Sequence, residues 1–135
     1  MDDLHKILAH VDSTPDVCEE WVVQEYIPRP LLIHSFKFDI RMWSLITGTG
    51  IYLHREGVLR IASEEYDADA AHCTSNPMAH ITNHCVQVKS DKYGKVVNDN
   101  LMFFDDFRTY LEEHYPQLVS KVRPVLRYTR GAKLS

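Results

Sequence analysis

The chain has 135 residues and a formal net charge of −4, with 44% hydrophobic residues, 25% charged, five Gly and six Pro. This is the make-up of one folded domain and excludes a disordered, collagen-like or disulfide-scaffold chain. No apolar run approaches the roughly 20 residues that span a bilayer, and the negative balance speaks against a broad nucleic-acid-binding surface.

The charge is uneven. Residues 1–113 hold all 19 acidic residues and ten of the 15 Lys and Arg, about −9 overall. From His114 onward the only charges are Lys121, Arg123, Arg127, Arg130 and Lys133, so residues 114–135 read as a diverged basic segment behind a domain of residues 1–113. Met1-Asp2-Asp3-Leu4-His5-Lys6 lacks the basic-then-apolar layout of a signal peptide. The expectation is a cytoplasmic chain with Cys18, Cys73 and Cys85 as free thiols.

In chain order, Asp2 or Asp3 can cap a helix carrying Leu4, Ile7, Leu8 and Val11, stopped by the polar stretch from Asp12 to Asp16. Trp21 to Ile27 is rich in β-branched and aromatic residues and predicts a strand, ended by Pro28 and Pro30. An extended segment follows through Leu31, Leu32 and Ile33. From Phe36 the period is two: Phe36, Phe38, Ile40 and Met42 on one face, Lys37, Asp39 and Arg41 on the other. Gly48-Thr49-Gly50 predicts a turn, and Glu56-Gly57 a two-residue hairpin between 51–55 and 58–63. Residues 64–100 read as a long polar connection with at most one short element. Asp99 or Asn100 is expected to cap a helix carrying Met102, Phe103, Phe107, Tyr110 and Leu111, ending before Pro116. A last helix fits between Gln117 and Arg127. The fold class is α+β, an antiparallel sheet with flanking helices.

Chemistry concentrates in Lys37-Phe38-Asp39-Ile40-Arg41, where the period of a strand sets an ammonium, a carboxylate and a guanidinium on one surface within about 14 Å. Lys offers a point charge to phosphate and Arg a planar fork to carboxylate or phosphate, while Asp can orient the Lys or accept a ribose hydroxyl. Arg60 on a neighbouring strand adds a second fork. The same pattern also suits a solvated sheet face. His80-Ile81-Thr82-Asn83-His84 offers polar side chains to a ligand's oxygens or simply makes turns. Cys73, His80, His84 and Cys85 are zinc-type ligands at none of the usual spacings. There is no GxxxxGK, GxGxxG or GxSxG motif.

Taken in order, these segments resemble the central part of the tubulin tyrosine ligase family, which has the ATP-grasp fold. The resemblance runs through Val22-Val23-Gln24-Glu25-Tyr26-Ile27-Pro28-Arg29-Pro30-Leu31-Leu32, Lys37-Phe38-Asp39-Ile40-Arg41, Arg55-Glu56-Gly57-Val58-Leu59-Arg60 and His80-Ile81-Thr82-Asn83-His84-Cys85-Val86-Gln87 to Met102-Phe103-Phe104-Asp105-Asp106-Phe107. Arg-Glu-Gly-Val-Leu-Arg with Thr-Asn-His-Cys resembles the tyrosine ligase itself more than its polyglutamylase or glycylase branches.

The resemblance implies a partial ATP-grasp domain of an ATP-dependent carboxylate–amine ligase. ATP would phosphorylate a carboxylate of the tubulin C-terminal tail, and the amine of a free amino acid, tyrosine or glutamate, would attack the acyl phosphate. It implies that Gln24, Glu25, Tyr26 and Ile27 form the adenine hinge, that Lys37, Asp39, Thr82 and Asn83 line the nucleotide site, and that Arg41 and Arg60 clamp the acceptor carboxylate or the transferring phosphoryl. Glu25 stands where the tyrosine ligase commonly has Lys. The family's phosphate-binding lysines lie upstream of this hinge and its acidic Mg set downstream, so Mg ligands are expected outside this chain and the isolated chain is expected to be inactive. Microtubule association follows from the implied partner. The rival expectation is a non-catalytic module binding acidic tails through Lys37, Arg41 and Arg60.

Overall fold

A computed structural model of the protein describes residues 4–13, 22, 24–54, 56–68, 76–127 and 133–134. The Asp2 or Asp3 cap, Trp21, Val23, Arg55, the thiols of Cys18 and Cys73, and Arg130 lie outside them. Helix α1 spans Leu4–Ser13, with Ile7 and Val11 half-buried, and its last turn is closed by Ser13 Oγ donating to the His10 carbonyl at 2.8 Å.

The main sheet has the order β1-β2-β5-β6, from Leu32–Ile33, Phe36–Arg41, Val58–Glu65 and Leu101–Phe103, and every pairing in it is antiparallel. Strand β5 is central because its inward residues Leu59 and Ile61 are apolar and fully buried, while Arg60 between them faces the other way. Against the buried face lies α4, Phe104–His114, whose Phe104, Phe107, Tyr110 and Leu111 repeat at helical spacing and join Ile33, Leu59, Ile61 and Met102 in one core. Helix α5, Pro116–Arg127, starts with Pro at its first position, where the missing N–H costs nothing, and packs Val119 and Val122 on that core.

The extended segment at Leu32 and Ile33 is a strand of a tight hairpin. His34 and Ser35, at φ 48° and 73°, form a two-residue turn with both residues in the left-handed region. Tertiary contacts hold them there. Tyr110 Oη accepts the His34 N–H at 3.0 Å, and the Ser35 carbonyl accepts the Tyr66 N–H at 2.9 Å.

Three expectations are corrected. Gln24 to Ile27 is irregular rather than a strand: β-propensity makes a strand only where a partner ladder exists. The 51–55 and 58–63 arms do not pair across Glu56-Gly57. Strand β4, Gly50–Leu53, pairs with β3, Ser44–Thr47, and with β7, Lys133–Leu134, in a separate sheet. Gly57 is small for another reason: a Cβ there would come 2.5 Å from Met42 Sδ and 2.6 Å from Phe104 Cζ. Met102 and Phe103 are strand, not helix, because they pair with Leu59 and Val58 of β5, with Asp99 and Asn100 before them at φ 52° and 54°.

The connection from 64 to 100 holds more structure than expected: short helices α2, Pro77–His80, and α3, His84–Gln87, and a 3-10 turn at Asn98–Asn100. Two buried amides bind it to β5. Gln87 accepts the Ser63 N–H at 2.7 Å and donates to the Met78 and Ile81 carbonyls at 3.0 and 2.6 Å. Asn100 donates to the Ile61 carbonyl at 2.8 Å and to Ser63 Oγ at 2.9 Å, and accepts the Gly94 N–H at 2.7 Å.

Candidate functional site

On the outer face of β2 and β5, Asp39 and Arg60 are direct cross-strand partners, which brings their side chains together on one face. Arg60 donates from Nε to Asp39 Oδ1 at 2.8 Å and from Nη2 to Oδ2 at 2.5 Å, a two-point fork. The buried Thr82, on the turn between α2 and α3, donates its hydroxyl to the same Oδ2 at 2.7 Å. Burial works to raise the Asp39 pKa, but the hydrogen bonds from Arg60 and Thr82 and the charges of Arg60 and Lys37 outweigh it and hold the carboxyl below its ordinary value. The bond to Asp39 raises the Arg60 guanidinium against the opposing effect of burial.

Two residues along β2, on the same face, Lys37 Nζ donates to Tyr26 Oη at 3.0 Å and to the His80 carbonyl at 2.9 Å, with the ammonium 4.7 Å from the centroid of the Tyr26 ring. Tyr26 Oη lies 2.9 Å from His80 Nδ1. The His80 ring packs edge-on to Tyr66 with centroids 5.1 Å apart, and Tyr66 donates its hydroxyl to the Pro28 carbonyl at 2.9 Å. These contacts hold the 24–30 segment beside β2. Burial and the Lys37 charge lower the His80 pKa, against the charge of Asp67.

The structure thus brings Tyr26, Lys37, Asp39, Arg60 and Thr82 into one array. Arg41, one pleat beyond Asp39, is exposed, and its side chain makes no hydrogen bond or ion pair among the described residues. Gln24, Glu25 and Ile27 are exposed on the irregular segment. Asn83 is also exposed, its carbonyl accepting the N–H groups of Val86 and Gln87 at 2.9 and 3.0 Å. Tyr66, Gln87 and Asn100 were missed as site-forming residues, and His80, offered as a polar loop side chain, instead contacts Lys37 and Tyr26. The signal for Gln87 was an amide directly after His84-Cys85-Val86; the other contacts are long-range and left no local trace.

The donor set fits a nucleotide in part. Lys37 forms no ion pair among the described residues, so its charge is not neutralised by contact with a carboxylate and one of its three N–H groups remains. The backbone groups of Gln24, Glu25 and Ile27 make no hydrogen bond among the described residues, which leaves them open to a base edge. A magnesium cage does not fit: no three His, Cys, Asp or Glu side chains converge among the described residues, and the carboxylate at the centre already holds Arg60 and Thr82.

The sequence profile described as "Tubulin-tyrosine ligase family" matches residues 1–128. Tubulin glycylase 3A of Drosophila melanogaster is 33% identical over 94% of this chain and 13% of its own length. Tubulin monoglycylase TTLL3 of Homo sapiens is 30% identical over 84% of the chain and 15% of its length. Tubulin polyglutamylase TTLL5 of Homo sapiens is 42% identical over 56% of the chain and 6% of its length. These relatives are named for glycine and glutamate, whereas the motif resemblance leaned to the tyrosine branch. The chain spans under a sixth of each.

Proposed function

Because the chain belongs to the tubulin-tyrosine ligase family, we propose that it supplies the nucleotide-facing sheet of an ATP-dependent ligase that joins an amino acid to a carboxylate of the tubulin tail. The observation that carries this reading is the Lys37 ammonium, fixed at 2.9 and 3.0 Å by neutral acceptors on a face that also holds the Thr82–Asp39–Arg60 array. In this reading residues 1–113 are the partial ATP-grasp unit and 114–135 the basic end. The protein would work in the cytoplasm at microtubules.

Bound ATP would supply the phosphoryl group that activates the acceptor carboxylate. Lys37 would hold phosphate oxygens by charge, and the segment of Gln24, Glu25, Tyr26 and Ile27 would meet the adenine, through the open backbone of Gln24, Glu25 and Ile27. Asp39 would accept a ribose hydroxyl with a lone pair left by Arg60 and Thr82. Arg60 keeps its Nη1 hydrogens for a carboxylate or phosphoryl oxygen, and Arg41 keeps its whole fork for the tail. Thr82 fixes Asp39, and Asn83 stands at the rim. These residues position reactants and neutralise charge, which is most of what phosphoryl transfer asks of a protein. Magnesium ligands would come from outside the described residues.

Isothermal titration of the folded chain with ATP tests the reading: binding is expected, with Lys37→Ala weakening it about tenfold or more, and a folded wild-type chain that takes up no ATP would overturn it. The tail-binding module is the weaker alternative, because of its three cations Arg60 is already paired with Asp39, which leaves Lys37 and Arg41 as the two with no ion pair among the described residues. Salt-sensitive binding of a glutamate-rich peptide that Arg41→Ala abolishes, without any need for ATP, would favour it. The amino acid is decided by supplying glycine, glutamate and tyrosine in turn to the longer protein.

A further inference from the structure

Two residues outside β2, Tyr26 and His80, hold the Lys37 ammonium, and they are joined to each other. His80 reaches it directly through its carbonyl at 2.9 Å and indirectly through its ring, since Nδ1 lies 2.9 Å from the same Tyr26 oxygen that Lys37 contacts at 3.0 Å. We propose that Tyr26 and His80 form a positioning relay for Lys37, in which the His80 ring takes the hydrogen bond of the Tyr26 hydroxyl so that the hydroxyl's lone pair faces the ammonium.

The directions follow from donor and acceptor inventories. An ammonium only donates, so the Tyr26 oxygen accepts from Lys37 and its own hydrogen must point elsewhere. His80 Nδ1 lies 2.9 Å from that oxygen and can accept the hydrogen, and an accepting Nδ1 puts the ring proton on Nε2. His80 is only 7% exposed, and burial together with Lys37 favours the neutral imidazole although Asp67 pulls the other way. A neutral ring is what the relay requires. The groups that bear on it include Lys37 from β2, Tyr26 from the irregular segment, and Tyr66 and Asp67 just after β5.

The relay fixes a cation without neutralising it. Arg60 shows the opposite arrangement, its charge balanced by Asp39 at contact distance. A lysine oriented by neutral groups keeps its full charge and one directed N–H for a polyanion, which is why this inference rests on the phosphate role proposed for Lys37. Tyr26 would then serve through its hydroxyl, while the hinge contact to adenine falls to the backbone around it.

Two measurements on the full chain test it. In long-range proton–nitrogen spectra of the imidazoles, His80 is expected to carry its proton on Nε2 at neutral pH and to lose that fixed tautomer in Tyr26→Phe; a proton on Nδ1 overturns the relay. In ATP titrations, Tyr26→Phe is expected to weaken binding about three- to tenfold, the scale of one hydrogen bond, and to have no further effect in a Lys37→Ala background. An equal loss in both backgrounds would mean that Tyr26 acts without Lys37 and would also overturn it. A folded wild-type chain that binds no ATP removes the phosphate role, and the spectra still decide the relay.

Discussion

Asp39 takes two donors from Arg60 and one from Thr82, and that makes its ionised form the stable one in the fold. Its pKa is lowered from 3.8, so the stability it contributes is complete above that value and is lost as pH falls through the lowered folded value. His80 is lowered from 6.5. As pH drops below 6.5 the unfolded chain takes this proton first, so the fold loses stability from there down to the depressed folded value. Urea midpoints measured across pH are expected to fall in two stages, the upper one flattened in His80→Gln and the lower one in Asp39→Asn. At this scale the sequence was legible where period two applied: Lys37 and Asp39 share a face and Arg60 faces away from the core. The relay was not legible, because Tyr26 and His80 are 54 positions apart and no local pattern links a tyrosine to a histidine at that distance.

Among elements, the buried ones were read well and the turns poorly. Strands β2 and β5 and helices α4 and α5 carry their apolar residues at the right period, and the core follows from them. The β1–β2 turn uses His34 and Ser35, neither a usual turn signal, because Tyr110 and Tyr66 hold its backbone from outside. Glu56-Gly57 carried a two-residue hairpin signal and makes no hairpin, since Gly57 is where Met42 and Phe104 close over the backbone. Gly57→Ala is therefore expected to destabilise the fold by about 1–3 kcal/mol, as overpacking does, with the flexible Met42 side chain absorbing part of the clash. Chemical denaturation of the variant against wild type checks this, and an unchanged midpoint would return the glycine to a turn role.

For the molecule as a whole, the site depends on the 76–100 connection lying flat against β5, because His80 and Thr82 ride on it. Gln87 ties both ends of that arrangement. Gln87→Ala would leave the Ser63 N–H and the Met78 and Ile81 carbonyls unmet, at about 1–3 kcal/mol for a buried polar group, and is expected to weaken ATP binding although residue 87 touches no part of the array. Thermal melts with and without ATP separate the two effects, since ligand stabilisation follows affinity by mass action. The family and its motif order were legible from sequence, while the separation of the strands into two sheets was not. The chain leaves the main sheet after Arg41 and enters the second at Ser44. There Leu45 and Ile46 are 62% and 74% exposed, and little apolar burial anchors the hairpin. Backbone protection against deuterium should divide at that crossing: the β3–β4 amides open by local fluctuation within the intact protein, and those of Leu59 and Ile61 only when the whole core lets go.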